Sequence, residues 1–191
     1  DQNAFDEIRL IKGSGVLKYS GDTPGGVVVL ESKLPEIKDS LYGKTILNGM
    51  SNGRGLNLIS SWTKSFQSGK YFKVQGTIKR IGDFSAPDYV LSNTGADENN
   101  ISFSLGQNKI LSHWKTNFSF FSQEIGILRS AHVGNVYDLV LAIESDIPTI
   151  INPLSHQIIL PKQLNSHYTG SVQYSKRNPS SGKWNAKYSW Q

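Results

Sequence analysis

SFQSGKYFKVQGTIKRIGD, residues 65–83, decides the fold. Within it Tyr71, Lys73, Gln75, Thr77 and Lys79 alternate with Phe72, Val74, Gly76, Ile78 and Arg80. A period of two sends successive side chains to opposite faces of a β-strand. One face is therefore polar and the other apolar, and the apolar set is expected to point inward as far as Arg80.

Working outward, the same punctuation recurs. GLNLISSW (55–62), ISFSLG (101–106) and SHWKTNFSFFSQ (112–123) read as strands, the last with Trp114, Thr116, Phe118 and Phe120 on one parity. VYDLVLAIES (136–145) reads as a further strand. Between residues 83 and 100 the chain is polar and carries Pro87 and Gly95, a long loop in which YVLS forms a brief strand. Upstream, AFDEIRLIKG (4–13) and VVVLES (27–32) are strands separated by a TPGG turn (23–26). KLPEIKDSLYGKTILNG (33–49) stays open between a short helix, from the spacing of Leu34, Ile37 and Leu41, and a loop, since Pro35 fits only a first turn. YTGSVQYSKRNPSSGKWNAKYSWQ (168–191) is a hairpin turning at NPSSG. These elements predict an all-β protein, an antiparallel β-sandwich over residues 1–150 followed by a basic, aromatic-rich C-terminal extension over 151–191.

Composition bounds the rest. The chain has 191 residues with 37% hydrophobic and 18% charged, enough for one core and not composed like a disordered chain. Its apolar runs fall far short of a helical bilayer crossing, so no membrane insertion is expected. There is no Cys, which excludes disulfides and thiolate metal sites. The first residue is Asp1 and no apolar signal segment follows, which reads as an excised or processed piece of a longer protein. Five of the 20 basic residues lie beyond Asp146, the last acidic residue; the remaining 15 balance all 15 acidic ones. The net charge of +5 thus resides in the tail, where it can attract anionic surfaces or simply solvate an exposed hairpin.

Catalysis is not expected. His113, His132, His156 and His167 show no HxH or HExxH spacing, and GxSxG, P-loop and GxGxxG motifs are absent. The pairs Asp6/Glu7, Asp97/Glu98 and Glu144/Asp146 could supply carboxylates, but adjacent carboxylates on a strand point to opposite faces, and a glycosidase pair is set by a distance in three dimensions that sequence does not give. Nucleic acid is not expected either. KYFKVQGTIKR interleaves basic and aromatic residues, but the chain outside its tail is neutral and carries no RNP-like signature.

The order GLNLISSWTKSFQSGKYFKVQGTIKR, ISFSLG, SHWKTNFSFFSQ, YDLVLAIES resembles the jelly-roll carbohydrate-binding modules attached to glycanases, over roughly residues 55–145. The closing segment is similar to terminal segments of phage tail fibres and tailspikes, which run G-x-V-x-Y and end on paired Trp. These resemblances imply a jelly roll, a cell-surface polysaccharide or oligosaccharide partner, a virion or extracellular location, and a homo-oligomer, a homotrimer in the fibre case. Such modules stack aromatic faces on sugar rings and hydrogen-bond the hydroxyls. The residues to which this role falls are Trp62, Asp88, Tyr89, Asn99, Asn100, Trp184, Tyr188 and Trp190, with Arg54 and Asn93 as further polar partners and Trp114 assigned to the core. Jelly rolls often hold a structural Ca²⁺, for which Asp6, Glu7, Asp138 and Asp146 are the oxygen donors; their spacing matches no calcium loop, and no other cofactor is expected. The function so implied is non-catalytic glycan recognition. The alternatives are an oligomerisation or capping domain with no ligand of its own and, more remotely, a glycan-cleaving enzyme.

Overall fold

The computed structural model describes residues 5–18, 25–131 and 134–191. The turn expected at 23–26 lies partly outside these residues, and His132 wholly so. Two short strands, β1 (Glu7–Ile11) and β2 (Val27–Glu31), pair as an antiparallel ribbon. Seven longer strands then build one sheet: β3 (Ser40–Met50), β4 (Gly55–Ser65), β5 (Lys70–Ile81), β8 (Ala96–Asn108), β9 (Ser112–Gly126), β10 (Lys162–Asn178) and β11 (Gly182–Trp190). A small hairpin of β6 (Phe84–Ser85) and β7 (Val90–Leu91) lies between β5 and β8, and a helix, α1 (Val136–Glu144), between β9 and β10.

The all-β class and antiparallel pairing read from the sequence hold. The order across the large sheet is β3-β4-β5-β8-β9-β10-β11, a meander in which each long strand lies beside the next one in the chain. The jelly-roll order implied by resemblance is therefore corrected: that fold carries strands across to a second sheet, whereas here every long strand finds its partner next in sequence. Beside the large sheet, among the described residues, stand two two-stranded sheets, β1–β2 and β6–β7. β10 and β11, within the expected C-terminal extension, are strands of the large sheet; β10 pairs with β9 from Lys162↔Gly126 to Lys176↔Ser112.

Two local expectations change. Residues 33–39 form no helix, and the strand begins at Ser40, where β4 supplies partners for its backbone. VYDLVLAIE is a helix rather than a strand. A short run in which nearly every residue is apolar has no clear period to separate the two, and β10 occupies the edge of β9 that a strand here would need. Asn135 caps the helix instead, its Oδ1 accepting from Asp138 N at 2.9 Å.

Connections differ sharply between the two ends of the sheet. Residues 65–70, 108–112 and 178–182 turn tightly at one end, while the links 81–96 and 126–162 lie at the other beside the short 50–55 turn. Gly69 makes the first tight turn with φ +76, and a Cβ there would stand 1.9 Å from Asn108 O, so only glycine fits. At the opposite end the two long links are knotted together. Asn93, itself left-handed at φ 64, places its amide nitrogen 2.8–2.9 Å from the carbonyls of Ile127, Ile159 and Pro161, and its Oδ1 accepts from Ile159 N. Asp83 accepts from Thr94 N at 2.9 Å and Ser155 N at 3.2 Å, and Ser92 Oγ from Asn152 N at 2.6 Å. All three side chains are buried, so these bonds replace water for backbone groups that would otherwise be stranded.

Aromatic rings cover glycines across neighbouring strands. Trp62 lies over Gly43, Tyr71 over Gly106 and Trp190 over Gly170, each pair directly opposed in register. A Cβ on Gly170 would fall 1.8 Å from the Trp190 ring. These pairs fill the gaps that glycine leaves in a sheet.

Candidate functional site

The parity of β5 propagates through the register. Phe72, Val74 and Ile78 share a face with Leu41 and Leu47 on β3, Leu56, Leu58 and Trp62 on β4, and Ile101, Phe103 and Leu105 on β8. The same face continues through Trp114, Phe118 and Phe120, Tyr168, Val172 and Tyr174, and Trp184, Tyr188 and Trp190. It is exposed: Leu47 is 68%, Ile78 61% and Trp184 71% accessible.

The opposite face is polar and covered. Gln75 is 1% and Thr77 3% accessible, and Thr63, Ser65 and Asn100 are also buried. Among the described residues only Val16, Ile59, Tyr71 and Ile81 form the buried apolar set, against nine buried polar or charged residues. The expectation that the apolar set points inward is thus overturned. Trp114, assigned to the core, is half-buried on the exposed apolar face beside Tyr174.

Buried polar side chains are as a rule hydrogen-bonded, and here they bond along and across the strands. Ser102 Oγ donates to Gln75 Oε1 (3.1 Å) and Gln75 Nε2 to Thr77 Oγ1 (2.8 Å). Ser104 Oγ donates to Asn117 Oδ1 (2.6 Å) and Asn117 Nδ2 to Ser171 Oγ (3.2 Å), while the Ser119 and Thr169 hydroxyls share a bond.

The segment beginning the β1–β2 ribbon is pinned to this polar face. Lys73 Nζ lies 3.2 and 3.3 Å from the Asp6 carboxylate, which also accepts from Lys33 N at 3.1 Å. Between ribbon and sheet is a cavity of about 190 Å³ whose lining includes Asp6, Lys33, Lys44, Tyr71, Lys73 and Lys115. Burial lowers the Lys115 pKa, with Lys73 adding to the effect and Asp6 opposing it. Burial pushes the Tyr71 phenol up to about 12, and its hydroxyl finds no hydrogen-bond partner among the described residues. An unpartnered buried donor costs about 1–3 kcal/mol. Tyr71→Phe is therefore expected to leave stability unchanged or raise it by about 1 kcal/mol, read as the shift in urea midpoint at constant slope.

The residues expected to bind glycan do not converge. Trp62 and Trp190 stand at one level of the sheet but five strand steps apart, or about 24 Å. Asp88 and Tyr89 occupy the bend of the β6–β7 hairpin at the end with the long links, whereas Trp184 lies near the tight 178–182 turn at the other. Asn99 is on the apolar face; Asn100 is buried on the polar one, donating to Glu98 Oε1 at 2.5 Å. Tyr188 and Trp190 alone touch, with ring centroids 5.9 Å apart. Arg54 sits in the β3–β4 turn with φ 45, and Asn93 is consumed by the loop knot. Of the residues considered for calcium, Asp6 pairs with Lys73 and Asp138 lies in the first turn of α1. Among the described residues no three His, Asp or Glu side chains gather as metal ligands. The residues that sequence reasoning passed over are Gln75, Thr77, Lys73 and Lys115; their signal was the unbroken polar parity of 71–79 and its continuation on the paired strands.

No helix among the described residues is long and apolar enough to cross a membrane, which says nothing of crossing by strands. No family model, no curated protein and no solved structure matches the chain.

Proposed function

We propose that this chain forms part of the wall of a plugged membrane β-barrel of the outer-membrane type. Its apolar face meets lipid, its polar face lines the interior, and the β1–β2 ribbon is seated inside as part of the plug. The activity is controlled passage of a solute through the barrel. The observation that carries the reading is the inversion of the sheet, with apolar residues exposed and a hydrogen-bonded polar layer buried. That is the reverse of a sheet folded in water and the arrangement of a barrel wall in lipid.

Further observations support it. The strands of the large sheet run 9 to 17 residues, and about 9–11 suffice to cross a bilayer when tilted. The expectation of no insertion rested on helix length, which strands do not need. The apolar stretch also drifts along the sheet. On β4 it stops at Lys64, level through the register with Val172 on β10, but on β10 it continues to Tyr174 and stops at Lys176. Four residues of drift over four strand steps correspond to about 14 Å against about 19 Å, a tilt of about 35°. Barrel strands tilt by about 35–45°. Tight turns at one end and long links at the other follow the pattern of periplasmic turns and outer loops. β3 and β11 are the open edges of the sheet, and in lipid they require pairing with further strands, from the same polypeptide or from other copies.

All four Trp residues, Trp62, Trp114, Trp184 and Trp190, lie on the apolar face. Folded from urea into phosphatidylcholine vesicles, the chain is expected to show Trp emission quenched by bromine-labelled acyl chains and protected from acrylamide. Folding in lipid-free buffer to a monodisperse β-rich species with acrylamide-accessible Trp would overturn the reading.

A further inference from the structure

We propose that the cavity between the β1–β2 ribbon and the polar face binds a phosphate group, held by Lys44, Lys73 and Lys115 with Lys33 at its rim. The inference goes beyond the barrel reading and does not depend on what covers the apolar face.

Charge is the first reason. Four lysines and one aspartate are among the residues lining about 190 Å³, and Glu31 acts on Lys115 from beside them, so the cavity keeps an excess of positive charge. Like charges gathered under a partly desolvated roof repel, and a bound anion relieves that repulsion. Asp6 cannot do so alone: its carboxylate is engaged by Lys73 Nζ and by Lys33 N.

The way the lysines are presented is the second reason. Lys73 and Lys115 project from β5 and β9 on the polar face, where Tyr71 opposes Gly106 and Gly106 opposes Lys115. Between them on β8 stand Ser104, which opposes Lys73 and also lines the cavity, and Gly106, which the Tyr71 ring covers. Lys44 comes from β3, so lysines from three strands line one volume. Lysines act as compact point charges and suit a doubly charged oxyanion that accepts bonds from several directions.

Tyr71 is the third reason. It is 5% accessible, lines the same cavity, and carries a hydroxyl without an acceptor. The phenol is protonated at neutral pH, and burial only raises its pKa further, so it stays a donor. A small shift of its ring off Gly106 would give that donor the oxyanion as its acceptor.

The test is calorimetric titration of the folded chain with inorganic phosphate, and with glycerol 3-phosphate to separate free phosphate from a phosphoryl group on a larger solute. Saturable binding is expected for at least one, weakened about tenfold by Lys115→Gln, as befits loss of one charge-assisted bond. Tyr71→Phe is expected to weaken it by a smaller factor, and Lys183→Gln, outside the cavity, to leave it unchanged. Circular dichroism confirms that each variant is folded. Tighter binding to inorganic phosphate identifies the free ion, and the reverse identifies the phosphoryl group. Absence of saturable binding to both, equal binding of acetate, or binding that Lys115→Gln and Tyr71→Phe both leave intact overturns the inference. Lipid quenching of the Trp residues reads the barrel proposal separately, so either can fail without the other.

Discussion

Phe103→Arg is expected to destabilise the folded chain in lipid by about 2–4 kcal/mol relative to Phe103→Ala, the cost of an arginine near the bilayer midplane on a barrel wall. Phe103 sits at the centre of the apolar stretch of β8, which is bounded by Asn99 and Gln107 on the same face. It is level with Val74 on β5 and Phe118 on β9. The alanine variant carries the lost packing common to both, so the difference isolates the charge. If the face met water, arginine and alanine at this position would differ by no more than about 0.5 kcal/mol, as surface substitutions do. Urea titration of the vesicle-folded variants measures the difference, and near-equality would remove the main support for the lipid-facing wall. The same substitution near the band edge, at Leu105, is expected to cost about 0–1 kcal/mol, because arginine there reaches the interface.

Asn93→Gly is expected to loosen the loop knot by about 3 kcal/mol, on the scale of several buried hydrogen bonds lost together. Glycine keeps the left-handed backbone of φ 64 and removes the side chain with its amide. What goes with it are the approaches to Ile127, Ile159 and Pro161 carbonyls and the bond accepted from Ile159 N. The result to look for is hydrogen exchange at Ile159 faster by about a hundredfold, with residues 126–162 becoming sensitive to limited proteolysis. Exchange in the paired region of β9 and β10 should stay unchanged, since its ladder does not use Asn93. Asn93→Ala is expected to cost about 1 kcal/mol more, because a Cβ without a local hydrogen bond penalises the left-handed region. An unchanged rate at Ile159 in both variants would show that the knot is held by Asp83 and Ser92 instead.

Much of the fold was legible in residues 55–123. The alternation of Tyr71–Arg80 and of Trp114–Phe120 fixes strands, and their parities match those observed. The hairpin at 178–182 was equally plain, because Asn178, Pro179 and Gly182 are turn residues between two alternating runs. Val136–Glu144 was not legible: a short run in which nearly every residue is apolar carries neither a period of two nor one of 3.6. Its state was settled by the Asn135 cap and by the occupied edge of β9. The glycan residues were chosen by type, and type alone does not bring Trp62 and Trp190 closer than the width of five strand steps.

By itself the sequence determined that the chain is all-β, which side chains share a face, and where the tight turns fall. These are local properties, set by the two-residue period and by the few residues that tolerate turn geometry. Which face is buried was left to the tertiary structure. A strand with one apolar and one polar side looks the same whether its apolar side meets a protein core or lipid, because the period does not record the solvent. Only the assembled sheet, with Gln75 and Thr77 buried and hydrogen-bonded on one face while Ile78 and Leu47 stand open on the other, decided it.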